Sequence, residues 1–199
     1  MDERERRRAV EDHLAAIREL ESAETSAVPA DWPPRGYYVL WHVVFGMMLG
    51  GLGALVSLGA NAIGAPLLGV HPLQLIRVFL TFPMGVAALT AEGGLVLTVG
   101  CLLYHGTGMV YGIFVHMVMS LFFAESPAGT RFAVVTAIGL GIWIVNFYLV
   151  LSWLQPLLLG GNWIVTMIPW WVGALTHLSF VWTIFLGEIF AGRFQAYAR

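Results

Sequence analysis

Two histidines, His105 and His116, stand eleven residues apart in LLYHGTGMVYGIFVHM, Leu102–Met117, a run that is otherwise apolar or small. On an α-helix eleven residues make about three turns, so both imidazoles leave the same face, roughly 16 Å apart along the axis. Neutral imidazole is a common axial ligand of haem iron, and two such ligands on one stripe at two depths are what stacked haems require. His42 and His177 could complete the set from other helices. Counted from the ends of the apolar segments described below, His105 matches His177 in depth and His116 matches His42. The four are therefore candidate ligands of haem b. The competing reading is that they hydrogen-bond across helices or to a neighbouring subunit, since ionisable groups at membrane depth are costly and normally find polar partners.

Other chemistry finds little support. Zinc and copper sites gather three or four ligands, and no three of His, Cys, Asp or Glu follow one another at helical i, i+3 or i+4 spacing. Neither a Ser-His-Asp set, a Gly-rich phosphate loop nor a pair of catalytic carboxylates can be picked out, so no catalytic residue is assigned. The lone cysteine, Cys101, lies in an apolar run and supplies neither a disulfide framework nor a CxxC metal site.

The elements that must position these histidines are membrane helices. Hydrophobic residues make up 58% of the 199-residue chain and charged residues 11%, with a mean hydropathy of +0.78. That is too apolar for a water-soluble domain. Four segments are long enough for a hydrocarbon core of about 30 Å, which takes about 20 helical residues. They run from about Tyr37 to Leu58, Leu95 to Phe123, Phe132 to Leu154 and Met167 to Phe190. Between the first two lies GAPLLGVHPLQLIRVFLTFPMGVAALTAEGG, apolar but broken by Pro66, Pro72 and Pro83 and carrying Arg77. With four spans, the N-terminal arginine cluster, Arg131, Arg193 and Arg199 fall on one side, which arginine bias makes cytoplasmic. A fifth span at 71–90 would separate them, so this segment is expected to be a re-entrant or interfacial helix on the outer side. Non-spanning backbone at membrane depth has to be covered by protein, so Arg77 and Glu92 are expected to contact partners rather than acyl chains.

The ends have their own signatures. Asp2 to Glu24 alternates acids and arginines, with Val10, Leu14 and Ile17 at helical spacing, which predicts an amphipathic cytoplasmic helix. It is charged throughout, unlike a cleavable signal peptide. The prolines of SAVPADWPPRGYY break it, and Trp32, Tyr37, Tyr38 and Trp41 fall where an interfacial aromatic belt is expected. Trp153, Trp163, Trp170 and Trp171 would form the belt at the other interface, or a docking surface for a partner or a quinone-like ligand. The expected organisation is a cytoplasmic helix and linker over 1–35, a transmembrane bundle over 36–193 and a cytoplasmic tail over 194–199.

Glycine is concentrated in the first two spans. Gly46, Gly50, Gly51, Gly53 and Ala54, followed by Gly100, Gly106, Gly108 and Gly112, make small-xxx-small spacings that predict close helix packing. The net charge of −2 gives no electrostatic argument for nucleic acid.

The runs HPLQLIRVFLTFP and SWLQPLLLGGNWIVTMIPWWVGALTHLSFVWT resemble an uncharacterised group of bacterial four-span membrane proteins associated with respiratory gene clusters. That resemblance covers most of the membrane part and implies a respiratory setting, without assigning a role to any residue. The expected protein is an all-α, multi-pass protein of the bacterial inner membrane. Its expected function is that of a non-catalytic subunit of an electron-transfer or respiratory complex, packed against the helices of other integral membrane subunits. A b-type cytochrome exchanging electrons with quinone is the alternative, separable by optical absorption, and a small dimeric transporter ranks third because the spans carry few polar groups.

Overall fold

The computed structural model describes residues 3–27 and 35–197; Trp32 and Arg199 lie outside them. Among the described residues every regular element is helical. Contacts divide the chain into a unit of residues 1–40 and a unit of residues 41–199. In the first, helix α1 (Glu3–Ala27) carries Val10, Leu14, Ile17 and Leu20 exposed along its length.

Four helical stretches are long and apolar enough to cross a membrane: Gly36–Leu68, Gly94–Phe122, Ala128–Leu159 and Trp170–Gly192. The first is helix α2 (Arg35–Gly64) with a short 3₁₀ turn, and the second is α4 (Gly94–Phe122). The third joins α5 (Ala128–Ile144), a π-helical stretch (Val145–Leu151) and α6 (Ser152–Leu159). The fourth lies within α8 (Trp170–Tyr197). The proline-broken segment forms α3 (Gln74–Met84), followed by a 3₁₀ turn, Gly85–Thr90. The eleven residues of α3, rising about 1.5 Å each, reach about 16 Å, roughly half of a hydrocarbon core. Pro83 lacks the N–H that would continue the ladder, and Gly85, with φ of 65°, takes the positive-φ turn that ends it.

Antiparallel packing of α2 on α4 follows from their glycines. A Cβ built on Gly112 would stand 2.3 Å from Gly50 Cα and 2.4 Å from the Gly46 carbonyl oxygen. One built on Gly50 would meet the Gly108 carbonyl at 2.4 Å, and one on Gly108 would meet Ala54 Cβ at 2.6 Å. Gly46, Gly50 and Ala54 therefore form one small-residue stripe and Gly108 and Gly112 the facing one, with main chain against main chain, as the spacing predicts. The other glycines serve different contacts: Gly53 admits Phe180, Gly100 admits Ile76 and Leu80 of α3, and Gly106 has open space.

The same antiparallel sense holds for α5 on α8, where Trp182 donates to Thr136 and Val181 packs over Gly139. Because the end of α2 meets the start of α4 through Ser57 and Tyr104, the chain between them, α3 included, returns to the end of the bundle it left. Arg77 turns back there, its Nε donating to the Ala91 carbonyl at 3.0 Å, whereas Glu92 is exposed in the linker to α4. α7 (Trp163–Met167) closes this end, with Ile164 and the following Ile168 against Val78 of α3 and Phe147.

Candidate functional site

Among the described residues the bundle holds two polar sites, one in each half. At the end opposite α3, the start of α2, the end of α4, the start of α5 and the last third of α8 converge. There His42 Nδ1 lies 3.1 Å from His116 Nε2, His116 Nδ1 lies 2.8 Å from Glu188 Oε1, and Arg131 Nη2 donates to Glu188 Oε2 at 2.5 Å. His116 and Glu188 are buried, and Phe45 meets the His116 ring edge-on at 5.1 Å. Ser120 stands one turn beyond His116, its hydroxyl 3.3 Å from the ring nitrogens. A carboxylate with a guanidinium on one oxygen can only accept, so His116 must carry its proton on Nδ1 and present a bare Nε2. His42 must then donate through its own Nδ1–H. Both imidazoles thus point their protons toward Glu188.

The depth match of His42 with His116 is present, and the two rings touch. Two metal–imidazole bonds of about 2 Å each need about 4 Å between the nitrogens, with the porphyrin between the rings. A hydrogen bond of 3.1 Å leaves no room for either. His105 and His177 are joined by no hydrogen bond or ring contact. His105 faces Gly51 of α2, its Nδ1 buried and without a partner among the described residues, while His177 faces Phe147. Equal depth is legible from the span ends. Rotation about each helix axis, which decides who faces whom, is not. His42 and His116, in direct contact, leave no space for a haem between them, and among the described residues no three His, Cys, Asp or Glu side chains gather into a metal-ligand group.

The second site is a cavity of about 480 Å³ between α3, α4, the third span and α8. Leu75, Phe79, Phe82 and Pro83 of α3 cover it, and Tyr104, Tyr111, Asn146, Phe147, Thr176 and His177 are among the residues of its wall. The π-helical stretch matters here: its wider turn brings the adjacent Asn146 and Phe147 both to the cavity. Pro156, which has no N–H for the Ser152 carbonyl, lies just beyond that stretch. Gln155, fully buried, holds the cover in place by donating to Thr81 of α3 at 2.8 Å and accepting from the Ile164 N–H at 3.0 Å.

Most wall hydroxyls already have partners. Ser57 donates to the Ala54 carbonyl, so Tyr104 donates to Ser57 at 2.7 Å; Thr176 donates to the Val172 carbonyl and accepts from Asn61. Tyr111 donates to Asn146 Oδ1 at 2.9 Å, which leaves the Asn146 N–H groups for another acceptor. His177 Nδ1 sits 2.8 Å from the Gly173 carbonyl, so the proton is there and Nε2 is an acceptor. The cavity thus offers one amide donor and one imidazole acceptor in an apolar aromatic wall, a composition usual for sites of lipophilic small molecules. Of the tryptophans expected at the interface, Trp153, Trp170 and Trp171 are exposed and Trp163 is half-buried over Gly161.

These features define a multi-pass helical membrane protein with an interhelical cavity and a buried histidine–carboxylate–arginine chain. Comparison with protein-family models, with curated proteins and with solved structures returned no match.

Proposed function

We propose that this chain is a non-catalytic integral membrane subunit of a bacterial electron-transfer or respiratory complex, and that it holds a quinone-type carrier in the interhelical cavity. The cavity carries the reading. Its volume and aromatic wall suit a substituted ring, the Asn146 amide suits a ring carbonyl, and His177 Nε2 suits the hydroxyl of the reduced form. The respiratory setting draws on the resemblance of residues 71–83 and 152–183. The chain itself buries from 17% to 39% of the most apolar stretch of each span, which leaves helix surface for lipid or for other membrane subunits. In this reading α3 is re-entrant or interfacial on the outer side, and both termini are cytoplasmic.

Titration of the detergent-purified protein with decylubiquinone tests the ligand. Saturable quenching of tryptophan fluorescence is expected, with affinity falling about tenfold in Asn146→Leu and in His177→Phe, the loss of about one hydrogen bond each. Leu121→Ala, on an exposed part of α4, is expected to bind as the unmodified chain does. Quenching that neither cavity substitution changes would overturn the assignment.

The topology has its own test. In a Cys101→Ser background, cysteines placed at Val70 and Glu92, before and after α3, are expected to react with an impermeant maleimide from the same side of sealed vesicles. A cysteine at Glu125 is expected to react from the other side. Labelling of Val70 and Glu92 from opposite sides would make α3 a spanning segment.

A further inference from the structure

We propose that His42 and His116 together form a binding site for one proton, shared between the two imidazoles and held by Glu188. The inference is independent of what occupies the cavity. Four elements face the pair, and their polar groups are His42 from α2, His116 and Ser120 from α4, Arg131 from α5 and Glu188 from α8. With both histidines neutral, Arg131 and Glu188 cancel and the cluster carries no net charge. His42 is only half-buried and its Nε2 has no partner among the described residues, so that nitrogen is open to an added proton. When His42 Nε2 takes that proton, the His42 Nδ1 proton can move to His116 Nε2 along the 3.1 Å bond. His42 then becomes neutral with its hydrogen on Nε2, and His116 becomes the imidazolium, donating through Nδ1–H to Glu188. No atom or electron is left over.

A second proton is excluded by the same geometry. Two imidazoliums have four donors and no acceptor, so the bond between them would be lost and two like charges would face each other at contact distance. Arg131 donates to the second oxygen of Glu188, so the charge added to the ring pair lies opposite a paired carboxylate rather than in bare hydrocarbon. Two interacting groups that accept one proton between them titrate as a pair.

Nitrogen-15 NMR of the full chain, labelled at histidine and held in lipid nanodiscs, tests this. At alkaline pH both rings are expected as the Nδ1–H tautomer, and on acidification both are expected to shift with one common midpoint and a total uptake of one proton. In His42→Gln the His116 ring is expected to titrate with a midpoint different from that of the unmodified chain, because its partner in the pair is gone. The tautomer and the common midpoint are read on the unmodified chain, so the proposal does not depend on a variant folding. It is overturned if His116 carries its alkaline proton on Nε2, if the two rings titrate with separate midpoints, or if both stay neutral down to pH 4.

Discussion

Gly112→Ala is expected to destabilise the bundle by about 3 kcal/mol or more, at the upper end of what overpacking costs. Its added methyl would lie 2.3 Å from Gly50 Cα and 2.4 Å from the Gly46 carbonyl oxygen. Both obstacles are main chain, so no rotamer change relieves them and the two helices have to separate. Separation would also lengthen the hydrogen bond between His42 and His116, which join the same two helices one turn farther on. Gly106→Ala is the matched control on the same helix. Nothing lies within 4 Å of its would-be Cβ, and alanine is the better helix former by up to about 1 kcal/mol. Unfolding by added SDS, followed by helical circular dichroism in mixed micelles, compares them. Equal midpoints for the two variants would refute main-chain contact as the basis of α2–α4 packing.

The second large effect is expected at Glu188. Glu188→Leu removes the carboxylate that accepts from both Arg131 and His116 and leaves a guanidinium at the edge of an apolar core. Breaking a buried ion pair by removing one partner typically costs about 3–5 kcal/mol. The lower end applies here, because the Arg131 side chain is 20% exposed and its long stem lets the charge reach the surface. Replacing both partners, Arg131→Met with Glu188→Met, is expected to cost less than removing the carboxylate alone, since no uncompensated charge remains, with a residual loss of about 1–3 kcal/mol from the buried His116 Nδ1–H left without its acceptor. The same SDS titration reads the coupling. A double variant that loses the sum of what Arg131→Met and Glu188→Met lose singly would show that the two side chains do not act as a pair.

The two variants separate kinds of stability that the residues themselves hint at unequally. The glycine seam is legible because small residues at i, i+4 and i+8 of one apolar helix, with a matching pair on the next, have few other uses in a membrane. The ion pair is not. Arg131 and Glu188 lie 57 residues apart, and only the packing of α5 on α8 brings their side chains together.

The sequence by itself determined that four helices are of spanning length and where they lie, because the length and apolarity of a span are set by the thickness of hydrocarbon rather than by neighbouring helices. It also placed His42 and His116 at a shared depth. Tertiary structure decided the rest, because depth along a helix is a property of one chain segment whereas lateral contact depends on how several helices rotate and approach. The glycine seam draws α2 and α4 close enough for His42 and His116 to bond directly. His105, at the depth of His177, faces Gly51 instead. The cavity arises in the same way: its cover is a helix set in place by a buried glutamine 74 residues away, and its polar wall comes from a π-helical turn within an otherwise uniform apolar run.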